Sequence, residues 1–150
     1  MENNEKTISI LNDLIEINND RVNGFEKAIE DINDVNLDLK ILFENYISES
    51  KKYAGELSTI VAKLGGNPES GSSISGGLHR AWIDVKALFG GTDRKSILSE
   101  AERGEDAIKK AYKEALEDPE FAPELIANIA EQAKGINEAH DKIKALRDSA

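Results

Sequence analysis

With 150 residues, no Cys, a formal charge of −10 and a pI near 4.7, the chain is long enough to bury one sizeable core, but it has neither a disulfide framework nor the thiolates for a zinc or iron–sulfur site. Charged residues make up 32 %, aromatics 5 %, and Pro occurs three times, a composition of long helices rather than strands. The acidity speaks against binding duplex nucleic acid, whose phosphates need a Lys/Arg surface, and no run approaches the ~18 apolar residues of a membrane span.

The opening MENNEKT lacks a basic segment followed by an apolar run, so we expect a single soluble, cytoplasmic domain over residues 1–150 with no nucleic-acid or membrane partner. Ile8, Leu11, Ile15, Val22, Phe25, Ile29 and Ile32 recur at threes and fours and predict a first helix over 7–33, capped by Thr7. One position of that seam, Asn18, is polar. Leu39, Phe43, Tyr46, Ser50, Tyr53, Leu57, Ile60 and Leu64 predict a second helix over 38–64, stopped by Gly65-Gly66-Asn67-Pro68. The short NDVN link makes these two helices antiparallel neighbours.

After the small-residue stretch 69–76, Leu78, Trp82, Val85, Leu88 and Phe89 predict a short crossover helix near 77–89. Trp82 is read as its anchor on the bundle and His79 as a surface residue. Thr92 or Asp93 caps a third long helix over 94–117, with Ile97, Leu98, Ala101, Glu105, Ile108 and Tyr112 on its apolar stripe. Asp118-Pro119-Glu120 breaks the chain, and Pro123 opens a fourth helix over 123–148 carrying Ile129, Ala133, Ile136, His140, Ile143 and Leu146. The 28 residues from 65 to 92 are enough to run back along the bundle. Two antiparallel pairs joined by one long crossover is the ferritin-like arrangement of an all-α four-helix bundle. The expected core is Ile8, Leu11, Ile15, Val22, Phe25, Ile29, Phe43, Tyr46, Leu57, Ile60, Leu64, Trp82, Ile108, Tyr112, Ile129, Ile136 and Ile143.

Counting from the tight turns brings Asn18, Ser50, Tyr53, Glu102 or Glu105, Asn137 and His140 to one height, a polar layer across mid-bundle. Di-metal carboxylate bundles place their ligands there, one Glu from each of two helices and Glu-x-x-His from each of the others. Here only His140 and a third-helix carboxylate have the right chemistry, too few anionic oxygens for a dinuclear site. The expectation is a metal-free layer closed by hydrogen bonds among Asn18, Tyr53, a third-helix Glu and His140. The alternative is a degenerate iron or manganese site at Glu102, Glu105 and His140. Gly104, Gly24 and Gly135, within helices, would permit close helix approach or leave a small cavity.

The end of the second helix, Tyr53-Ala54 through Leu64-Gly65-Gly66-Asn67-Pro68, resembles the ferritin and bacterioferritin second helix, and Leu11-Asn12 followed by Phe25 resembles their first. The resemblance puts Asn18, Ser50 and Tyr53 where those proteins carry ligands. Over most of its length the chain resembles a bacterial family of uncharacterised ferritin-like four-helix proteins, domain of unknown function 2383. The stretches that carry this likeness are 11–29, 76–84, 102–106, 139–141 and 146–148. It implies the fold and little about activity. The function expected is a non-catalytic bundle acting by self-association or by binding a protein partner, in stress physiology as many ferritin-like proteins do. The alternative is a metal-binding relative or an oxidase.

Overall fold

A computed structural model describes residues 4–30, 32, 36–69 and 93–150. Among them are four long helices, α1 (Glu5–Glu30), α2 (Leu37–Lys63), α3 (Arg94–Glu117) and α4 (Ile126–Asp148), with a 3₁₀ turn at Pro123–Leu125 leading into the last. The protein is an all-α bundle. The expected crossover helix at 77–89, with His79 and Trp82, lies outside the described residues.

The helix ends follow local chemistry. Asp93 caps α3, its carboxylate accepting from the Ser96 backbone N–H and the Ser96 hydroxyl. Gly65 ends α2 at φ +86°, a conformation in which a Cβ would clash. Pro123 opens the 3₁₀ turn, where a missing N–H costs nothing. Thr7 does not cap α1, which already begins at Glu5. Its hydroxyl instead accepts from the Ala122 N–H at 3.1 Å and donates to the Glu120 carbonyl at 3.4 Å, tying the α3–α4 connection to the start of α1.

Contacts at the two ends fix the topology. At one end Gly66 packs on Ile8, and the Asn12 side chain donates to the Asn67 carbonyl and accepts from the Glu69 N–H. Lys6 meets Asp118 there, at 3.8 Å. At the other end Arg94 makes a two-pronged ion pair with Asp38, at 2.9 and 2.8 Å, and reaches the Asn36 side chain. The chain therefore leaves α2 at one end of the bundle and enters α3 at the opposite end, so α2 and α3 run parallel while α1/α2 and α3/α4 are antiparallel pairs.

The core is in two parts. Leu11, Leu14, Ile15, Leu57, Val61, Ile108, Tyr112, Ile129 and Ile136 pack around the end where α1 begins. Phe25, Leu39, Phe43, Tyr46, Ile97, Leu98, Ala101 and Ile143 fill the other half, with the Phe25 ring 4.9 Å from Phe43 and 5.5 Å from Tyr46. Most of the expected core is buried, but Ile8, Ile29, Ile60 and Leu64 are only partly so. In α2 the buried stripe passes from Leu57 to Val61 rather than Ile60 and Leu64. The four-residue step keeps the stripe on the α1 side where the helix meets its partner most closely.

Candidate functional site

Between the two apolar halves lies a polar layer, and its centre is Arg21. The side chain is fully buried, one turn beyond Asn18 on the inward face of α1. Its Nε and Nη2 donate to the two oxygens of Glu105 on α3, at 2.7 and 2.9 Å. Its Nη1 donates to Glu49 at 2.8 Å and to the Ser50 hydroxyl at 2.9 Å, both on α2. Four of the five guanidinium N–H groups are thus engaged, the condition under which so costly a burial is tolerated. The guanidinium carbon also lies 5.4 Å from the Phe25 ring centre and 5.3 Å from that of Tyr46, so aromatic faces cover what the oxygens do not.

The network continues in one direction. Ser50, accepting from Arg21, donates to Asn18 Oδ1 at 2.9 Å. Asn18 Nδ2 donates to the Leu14 carbonyl and to the Tyr112 hydroxyl, both at 2.8 Å. Tyr112 donates to Gln132 Oε1 at 2.7 Å, and Gln132 Nε2 donates to Glu56 at 3.0 Å and to the Tyr53 carbonyl at 3.4 Å. All four helices contribute. The chain runs from the buried Glu105 to a groove of about 350 Å³ on the α2/α4 surface, lined by Lys52, Tyr53, Glu56, Glu131 and Gln132 among others.

Burial sets the electrostatics. It pushes the Glu105 carboxyl above the usual range, opposed chiefly by the charge and hydrogen bonds of Arg21. Arg21 is held above its ordinary value: burial works against its charge, and Glu105 followed by Glu49 outweighs that. Tyr46 and Tyr112 are raised mainly by burial. Tyr53 is pushed up to about 12, by burial first and then by Glu49.

Asn18, Ser50 and Glu105 therefore sit where the sequence puts them, while the other expected members do not. Tyr53 is half-buried and directs its hydroxyl to Glu49 rather than to Asn18; a Cβ built on Gly135 would lie 2.0 Å from that hydroxyl, so this glycine makes room for it. Asn137 is exposed, because α4 turns Ile136 and His140 inward and leaves 137 and 138 facing water. His140 is buried but binds Asp106 through Nε2 at 2.7 Å and Asp141 through Nδ1 at 3.1 Å, on the α3/α4 seam. Glu102 pairs with Arg147 on that same seam. The expected layer is thus two clusters: a central one around Arg21, and a peripheral one in which Glu102, Asp106 and His140 are the only group of metal-ligand type among the described residues.

Arg21, Glu49, Gln132 and the hydrogen-bonding role of Tyr112 are the residues that periodicity missed. A signal was present. A Glu at an apolar seam position demands a cation at the same height, and Arg21, three residues after Asn18, supplies it.

Fold and site together define a four-helix bundle whose centre is closed by an ion-paired guanidinium. The profile of the family described as a domain of unknown function, DUF2383, matches residues 6–118, and the chain belongs to that family. None of the curated proteins compared with it matches. The matched span holds Asn18, Arg21, Glu49, Ser50, Glu105 and Tyr112; Gln132, His140 and the stretches 139–141 and 146–148 lie beyond it.

Proposed function

We propose that this protein is a non-catalytic, ferritin-like bundle that acts through its surface, by self-association or by binding a protein partner. One observation carries the reading: the mid-bundle position at which di-metal bundles gather carboxylates around cations is filled here by the chain's own cation, Arg21, with both oxygens of Glu105 engaged. A carboxylate held in both prongs already has its charge compensated by the guanidinium, which stands where a pair of ions would sit. The parallel course of α2 and α3 supports the ferritin-like comparison.

Leu37 and Ile41, 52 % and 54 % exposed and one turn apart on α2, offer apolar area for a second copy. Light scattering of the eluting protein is expected to give a multiple of the 16.5 kDa chain mass, reduced to the monomer by Ile41→Lys. A strictly monomeric protein would leave only the hetero-partner half of the reading. Iron(II)-dependent oxygen consumption that Glu105→Gln abolishes would overturn the whole of it.

A further inference from the structure

Glu102 and Asp106 stand one turn apart on α3, and His140 reaches them from α4; one ligand atom of each lies within 4.8 Å of the other two. Asp141, holding Nδ1 at 3.1 Å, turns Nε2 of His140 towards the two carboxylates. A carboxylate behind an imidazole in this way is the usual support of a metal-ligating histidine. We propose that Glu102, Asp106 and His140 bind one divalent first-row transition-metal ion of the zinc type, apart from the Arg21 network and independent of any interaction role.

The donor set chooses the class of ion. One imidazole with two carboxylates suits a borderline ion such as zinc or cobalt better than magnesium or calcium, which favour all-oxygen shells. Bonds of ~2.0–2.2 Å place neighbouring ligand atoms roughly 3–3.5 Å apart, so closure asks for a movement of about 1 Å or slightly more, within reach of a side-chain rotation. Asp106 is 60 % exposed on its outer side, which leaves room for water to complete the coordination. Glu102, Asp106, Asp141 and Asp148 face the site from α3 and α4 against the positive charges of Arg147, Lys109 and Lys144. Arg147 pairs with Glu102 and with Asp148, so it competes with an ion for Glu102 and retains Asp148 when displaced.

The test is titration of the full chain with zinc by calorimetry and with cobalt(II) by visible absorption. One ion per chain is expected, with a cobalt spectrum showing nitrogen ligation that His140→Gln removes. Asp106→Asn, at an exposed position that leaves folding intact, is expected to weaken binding at least ~10-fold, the size of effect seen even for supporting residues of metal sites. Arg147→Gln is expected to bind as tightly as the natural chain or more tightly. No binding at about 1 mM metal, or equal affinity in the Asp106→Asn chain, would overturn the proposal.

Discussion

Arg21 shows how one side chain sets the terms for its neighbours. A fully buried guanidinium and a fully buried carboxylate each tolerate the interior because of the other, and removing one leaves an uncompensated charge. Arg21→Met is therefore expected to cost about 3–5 kcal/mol in urea unfolding. Arg21→Met combined with Glu105→Leu should cost much less than the sum of the two single changes, because a matched apolar pair restores a core that water does not need to enter. Additive losses would mean that the pair is not coupled. The hydrogen bonds leading away from Arg21 have fixed directions, since each of Ser50, Asn18 and Tyr112 accepts from one neighbour and donates to the next. Such a layer specifies register: sliding α1 by one turn would bring Asn18 and Arg21 against apolar side chains.

The α2/α4 contact turns on a glycine. Ala at an exposed helical position is better than Gly by about 1 kcal/mol, yet at position 135 the added methyl meets the Tyr53 hydroxyl at 2.0 Å and Glu49 at 3.3 Å. Gly135→Ala is expected to be destabilising in the natural chain and less so in a Tyr53→Phe background, where the hydroxyl oxygen is gone and the ring carbon and Glu49, each 3.3 Å from the added methyl, are left to give way. A thermal-unfolding cycle of the four proteins measures this, and equal effects of Gly135→Ala in both backgrounds would show that the hydroxyl does not set the packing. α3 and α4 have a different device. Their connection is pinned to α1 through Thr7 and closed by Phe121, which is 3 % exposed. The residue read as a cap is thus a tether between elements 113 and 115 positions apart.

At the scale of the molecule, the contacts of Glu69 with Asn12 and of Arg94 with Asp38 place Glu69 and Arg94 at opposite ends of the bundle. α2 has 27 residues and so is ~40 Å long at ~1.5 Å per residue. Any replacement must span it. A Gly/Ser linker of about 20 residues in place of 70–92 is expected to keep the bundle dimensions seen by small-angle scattering, because its reach of up to ~3.3 Å per residue exceeds the need. About six residues reach only ~20 Å and should abolish the native bundle. A native scattering profile with the short linker would show that α2 and α3 are not parallel.

The four helices, their pairing and the height of the polar layer were legible in the residues alone, because helical periodicity, caps and turn residues are local and a tight turn counts residues off equally on both sides. Pro123, Gly65 and Asp93 act where their chemistry says they should. Tertiary structure alone decided which polar groups meet. Arg21 and Val22 are adjacent at the edge of the same seam, and periodicity favours the apolar one; only the approach of Glu105 and Glu49 from two other helices gives the guanidinium enough acceptors to be drawn inward. His140 and Glu102 are displaced to the α3/α4 seam for the complementary reason. Asp106, Asp141 and Arg147 offer them partners at the surface, so neither has to cross the core to be satisfied.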